Sequence, residues 1–201
     1  GNNVADSGQT GIWVAMNCSG NEISGNTVSG SPETGIYIYH ADACTVTGNT
    51  VTGGGNGIEV KLSNNSTVAN NIIEDAERGL LVRNGAVVSA TGTSFGGNEI
   101  SGSTIAGLAL EDTALTQSFA NNEFSANALQ VQIVKPNSFD ASVASGSSAK
   151  VAALLADNSF DRAVTVEDAE EAALTPFIYS AIQDGVDGAD SGATVNVSAG
   201  T

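Results

Sequence analysis

The tightest constraint on this chain is an asparagine that returns in one short phrase. Asn26-Thr27-Val28, Asn49-Thr50-Val51, Asn71-Ile72-Ile73, Asn98-Glu99-Ile100, Asn122-Glu123-Phe124 and Asn158-Ser159-Phe160 all read Asn-x-apolar. Three positions before each stands an apolar residue: Ile23, Val46, Val68, Phe95, Phe119 and Leu155. Successive anchors are 23, 22, 27, 24 and 36 residues apart. A repeat of this length marks a solenoid, in which each unit buries its apolar face against the next.

Each repeat has a second half that reads Gly-apolar-x-apolar. The copies are Gly11-Ile12-Trp13-Val14, Gly35-Ile36-Tyr37-Ile38, Gly57-Ile58-Glu59-Val60, Gly79-Leu80-Leu81-Val82 and Gly107-Leu108-Ala109-Leu110. Two weaker copies follow, Ala128-Leu129-Gln130-Val131 and Ala163-Val164-Thr165-Val166. Apolar residues two apart share one face of a strand. Short strands with no helix between them can pair only with their equivalents in the next repeat. The expected fold is all-β, a parallel β-helix of about seven coils over residues 1–166. Inward columns are expected from Ile12 through Leu108, Leu129 and Val164, from Val14 through Leu110, Val131 and Val166, and from Val28 through Phe160. A buried amide is costly unless hydrogen-bonded. Stacked at strand spacing, the repeated Asn residues can bond to one another, so an internal ladder is expected. Asn3 falls at the right spacing to be a further member.

The chain resembles the right-handed parallel β-helix, or pectin-lyase-like, superfamily. Its closest repeat type is Gly-Asn-x-Ile-x-x-Asn with Gly-Ile-x-Val, with Gly20-Asn21-Glu22-Ile23-Ser24-Gly25-Asn26 and Gly48-Asn49-Thr50-Val51 carrying the likeness. The resemblance covers about residues 3–166 and implies an outer sheet face on which carbohydrate lies. Residues 167–201 read as a capping or junction segment. Ile178, Ile182 and Val186 form a helical stripe, and Ala193–Val197 alternates as a strand. This tail looks like the start of a following β-helix repeat, so one tile of a larger tandem protein is expected. The competing reading is a simple C-terminal cap.

Outward positions of the long strands form two columns: Trp13, Tyr37, Glu59, Leu81, Ala109, Gln130 and Ala15, Tyr39, Lys61, Arg83, Glu111, Gln132. Aromatic rings on an exposed sheet face can stack on sugars, with nearby charges binding hydroxyls or uronates. The candidate ligand patch is therefore Trp13, Tyr37, Tyr39, Glu59, Lys61 and Arg83, against the alternative that these pairs only stabilise the sheet. Polysaccharide lysis needs a base and a cation beside a uronate, roles open to Lys61, Arg83 and Glu111. The Asp-rich and His-containing motifs of polygalacturonase-like relatives are missing, as are clustered Asp ligands of calcium-dependent lyases. A non-catalytic structural or carbohydrate-binding module is the primary expectation; a polysaccharide lyase, hydrolase or epimerase is the alternative.

With 22 acidic and 6 basic residues the net charge is −16. That surface repels phosphate backbones, so nucleic acid is not an expected partner. Expected partners are polysaccharide or neighbouring copies of the module, head-to-tail, in an extracellular or cell-surface setting. No apolar run is long enough to span a membrane. No cofactor is expected beyond weak Ca2+ association at the acidic surface. His40 reads as a surface residue. Cys18 and Cys44 lie in adjacent coils, either bonded to each other or serving as two small buried apolar residues.

Overall fold

The computed structural model describes residues 1–83, 92–111, 117–134, 154, 156–161 and 166–168. It is a parallel β-solenoid with three strands per coil. The first sheet holds β1 (Asn3–Ala5), β4 (Thr27–Ser29), β7 (Thr50–Thr52), β10 (Ile72–Glu74), β13 (Glu99–Ser101), β16 (Glu123–Ser125) and β18 (Ser159–Phe160). The second holds the long strands β2 (Thr10–Ala15), β5 (Thr34–Tyr39), β8 (Asn56–Lys61), β11 (Arg78–Arg83), β14 (Ala106–Glu111) and β17 (Leu129–Val134), then β19 (Val166–Asp168). The third holds β3 (Glu22–Ser24), β6 (Thr45–Thr47), β9 (Thr67–Ala69), β12 (Ser94–Gly96) and β15 (Ser118–Ala120). Among the described residues five coils therefore carry all three strands, and two further coils are partial. The helix and strand expected after residue 168 lie outside the described residues, as do residues 135–153 and 162–165.

The core is one continuous cluster of stacked apolar side chains. Val28, Val51, Ile73, Ile100 and Phe124 stack in register, followed by Phe160. Phe95 and Phe119 stack with centroids 4.8 Å apart. Residue 155 is outside the described set, while Leu154 is buried against the core.

The ladder runs the length of the tube. The Asn26 side chain donates to Asn49 Oδ1 (2.9 Å), Asn49 to Asn71 (3.0 Å), Asn71 to Asn98 (2.9 Å), Asn98 to Asn122 (2.8 Å) and Asn122 to Asn158 (2.8 Å). Each receiving oxygen also accepts the backbone N–H of the same upstream Asn. The second N–H of Asn49, Asn71, Asn98, Asn122 and Asn158 donates to the carbonyls of Ile23, Val46, Val68, Phe95 and Phe119. The apolar residue three positions before each Asn thus has two tasks: its side chain fills the core and its carbonyl holds the next rung's amide. Asn3 is not in the ladder. It pairs with Thr27 in the sheet, which puts Asn2 opposite Asn26, and Asn2 donates to Asn26 Oδ1 at 3.1 Å.

The expected register fails at one strand. Val131, not Leu129, pairs with Leu108; Gln132, not Gln130, pairs with Ala109; Val134 pairs with Glu111. The physical reason is the corner before the strand. Gly11, Gly35, Gly57, Gly79 and Gly107 occupy one tight position; a Cβ on Gly57 would sit 2.3 Å from Ile73 and 2.6 Å from the Gly79 carbonyl. In the next coil Gln130 takes that position. Its buried amide is held by Asn127 (3.0 Å) and by Asp161. Val131 still pairs with Val166, but in the column of Leu108 rather than of Leu110.

Candidate functional site

The long-strand sheet turns one face inward and presents the other to its surroundings. Strands β2 and β5 align Trp13 with Tyr37 and Ala15 with Tyr39; β5 and β8 align Tyr37 with Glu59 and Tyr39 with Lys61; β8 and β11 align Lys61 with Arg83, which in turn aligns with Glu111 on β14. All seven sequence-predicted residues thus share one face over five coils.

They divide into two parts. The first is aromatic. The Trp13 and Tyr37 rings are 6.1 Å apart and within 11° of parallel; Tyr37 and Tyr39 are 5.7 Å apart at 22°. Lys61 Nζ stands 5.6 Å from the Tyr39 centroid, a cation–π contact. Trp13 is 60% exposed. Its ring, with Tyr37, Gly8, Gln9, Thr10 and Glu33, borders an open groove of about 500 Å3.

The second part is ionic and closed upon itself. Glu59 is buried, although its column faces outward. Thr34 (3.2 Å) and Asn56 (3.0 Å) donate to one of its oxygens and Arg83 (3.2 Å) to the other. Arg83 Nε also meets Glu111 at 2.6 Å. Burial works against the Arg83 charge, but Glu111 and then Glu59 outweigh it and raise its pKa. An arginine held by two carboxylates is neither a proton acceptor nor a spare cation for a uronate. Burial and, after it, the Glu59 charge push the Tyr37 phenol up to about 12. Further along the face, Leu81 and Ala109 are buried in a small outer cluster with Ala106.

Sequence reading missed a third outward row. Thr34, Asn56 and Arg78 sit one residue before the corner glycines, and two of them grip Glu59. Their signal was a polar residue directly preceding Gly in successive repeats. The groove residues Gly8, Gln9 and Glu33 lie in turns, where the repeat pattern carries no information. All three Lys and Arg side chains of the described residues, Lys61, Arg78 and Arg83, belong to β8 and β11.

The two cysteines do not bond. Cys18 is exposed and Cys44 buried, both free. Cys44 Sγ faces the Asp42 carbonyl at 3.7 Å and the Cys18 carbonyl at 3.8 Å. Cys18 is therefore not a small buried residue, because its carbonyl, not its side chain, turns toward Cys44. His40 is exposed, as expected. No group of three or more His, Cys, Asp or Glu side chains among the described residues is placed to hold a metal ion. No helix among them is long and apolar enough to cross a membrane.

Comparison with curated proteins and with solved structures gives no match. A family model does match, over residues 1–150, and its description is periplasmic copper-binding protein (NosD). That span takes in the asparagine ladder from Asn2 to Asn122 and the outer face from Trp13 to Glu111, so the chain belongs to the NosD family of parallel β-helix proteins.

Proposed function

We propose that this chain is a non-catalytic β-helix module that works outside the cytoplasm and presents its Trp13–Tyr37–Tyr39 face to carbohydrate. The observation that carries this reading is the stacked aromatic strip. Its rings are nearly parallel, Trp13 is solvent-exposed, and the strip opens on a groove whose rim offers Gln9, Thr10 and Glu33 as hydroxyl partners. A flat aromatic surface edged by polar groups suits a pyranose ring. The ionic half supports a non-catalytic role, because Arg83 is neutralised by Glu59 and Glu111 and Lys61 rests over Tyr39. The family description supports an extracytoplasmic setting.

The test is a binding and turnover screen over neutral and acidic polysaccharides. Retention without cleavage, lost in Trp13→Ala and Tyr37→Ala, is expected. Cleavage that disappears in Lys61→Ala or Arg83→Ala would overturn the non-catalytic reading in favour of a lyase, hydrolase or epimerase.

The family description also brings copper to this chain as a second reading. The carbohydrate face has the wrong donors for it, being aromatic and carboxylate-rich.

A further inference from the structure

Lys61 is the first lysine or arginine of the sequence. The stretch before it carries Asp6, Glu22, Glu33, Asp42 and Glu59. The aromatic groove lies wholly in that stretch, lined by Gly8, Gln9, Thr10, Trp13, Glu33 and Tyr37. Glu33 is the charged residue of this lining. The cations of the face are engaged elsewhere, Arg83 with Glu59 and Glu111, and Lys61 over Tyr39.

Backbone bonds fix where Glu33 stands. Its N–H donates to the Gln9 carbonyl at 3.1 Å, and its carbonyl accepts from the Asn56 N–H at 2.8 Å. It therefore sits at the corner directly before β5, one rung from Gln9 and next to Thr34, which pairs with Thr10. Two carboxylates near this corner differ in what already occupies them. Glu59 is buried and held by Thr34, Asn56 and Arg83. Glu33 is exposed, and among the described residues no group hydrogen-bonds or ion-pairs with its carboxylate. Beside it, Trp13 stands on the edge strand β2, with a ring neighbour on one side only.

We propose that this groove selects amino sugars, pyranoses bearing a protonated amine, over neutral sugars and over uronates. The preference rests on the carbohydrate reading above and fixes its charge class. The sugar ring lies against Trp13 and Tyr37, and its ammonium donates to the Glu33 carboxylate. An ammonium close to an aromatic face also gains a cation–π attraction. A uronate instead brings a second carboxylate to a groove lined by no cation, in a field of one sign, and is repelled. Acetylation of the sugar amine removes the charge and keeps the ring, so N-acetylglucosamine is the matched neutral ligand.

The test titrates the full chain with the hexasaccharides of chitosan, chitin and polygalacturonate at low salt. Calorimetry gives the affinities, and the fluorescence of Trp13, the sole tryptophan, shows whether the ligand sits in the groove. The chitosan hexamer is expected to bind about fivefold tighter than the chitin hexamer, the upper size of one exposed charge pair. The galacturonate hexamer should bind weakest. Glu33→Gln should bring the first two to equal affinity without weakening the chitin hexamer. Glu123→Gln removes the same charge from the exposed outer side of β16 and should leave the ratio unchanged. Equal binding of the chitosan and chitin hexamers by the parent chain, or preference for galacturonate, would overturn the charge class and leave the carbohydrate reading standing. A ratio that survives Glu33→Gln, or falls equally in Glu123→Gln, would trace the preference to bulk charge and overturn the site, as would binding heat with no change at Trp13. No binding of any of the three overturns the amino-sugar site, and the wider polysaccharide screen then decides whether the carbohydrate reading falls with it. Unchanged circular dichroism in each variant separates lost binding from lost fold.

Discussion

Replacing Asn71 by alanine tests the ladder where it is most enclosed. Asn71 is fully buried. Its side chain donates to Val46 O (3.0 Å) and Asn98 Oδ1 (2.9 Å), and accepts from the Asn49 backbone N–H (3.0 Å) and Asn49 Nδ2 (3.0 Å). Alanine removes all four bonds. The Asn49 backbone N–H is then a buried donor facing a methyl group, whereas Asn49 Nδ2 keeps Ile23 O and Asn98 Oδ1 keeps the Asn71 N–H. The orphaned donor costs about 1–3 kcal/mol and the three other lost bonds about 0.5–1.5 each, giving about 2.5–7.5 kcal/mol. At a urea slope of about 2 kcal/mol per molar, the unfolding midpoint falls by about 1.2–3.8 M. Asn3→Ala is the matched control, an exposed asparagine outside the ladder, with an expected change within about 0.5 kcal/mol. Urea titrations followed by Trp13 fluorescence and by far-UV circular dichroism read both. Equal midpoints for Asn71→Ala and Asn3→Ala would refute the ladder as the element that holds the coils together.

Gly57→Ala should destabilise the tube, because the added methyl would overlap Ile73 and the Gly79 carbonyl; a thermal melt no lower than that of the parent chain would contradict this packing. Tyr37 should ionise near 12 in the folded chain and near 10 when unfolded, so stability should fall as pH rises from about 10 to about 12 and be unaffected below; ultraviolet titration of Tyr37→Phe against the parent isolates the group. Thiol titration should find one cysteine reacting at once (Cys18) and a second only after unfolding (Cys44), with no mass change on reduction; a two-dalton gain would reveal a disulfide instead.

The ladder was legible because an amide repeated in one sequence frame has few other uses. Ile23, Val46 and Val68 recur three residues earlier, and the same interval carries both the core side chain and the carbonyl that the next amide needs. The register at β17 was misread because the corner glycine, the most visible marker, gives way there to Gln130. A steadier marker was available. Ile36, Ile58, Leu80 and Leu108 each follow their ladder asparagine by nine or ten residues, and so does Val131, whereas Leu129 follows by seven. Asn3 was preferred to Asn2 on spacing alone, when the strand has to begin directly after the ladder residue.

On the outer face the membership of the columns was legible and their chemistry was not. Period two tells which residues point outward, but burial of an outward residue depends on its neighbours across rungs. Glu59 is enclosed by Thr34, Asn56 and Arg83, which come from three different strands. The pairing of Arg83 with both Glu59 and Glu111 likewise needs three coils in register before it can be seen. Cys18 and Cys44 lie in adjacent coils, yet the direction of a side chain at a turn is set by backbone dihedrals that composition does not reveal.

The asparagine row has a compass sense. Every Asn-to-Asn bond from Asn26 through Asn122 runs from the earlier amide to the oxygen of the later one, and none runs in reverse. Five aligned dipoles polarise one another along a single vector. Tubes of this kind can be spliced or lengthened only when both pieces run the same way, since an inverted joint would press oxygen on oxygen. The interior therefore dictates polarity to any assembly that continues it, whatever its outer surface binds.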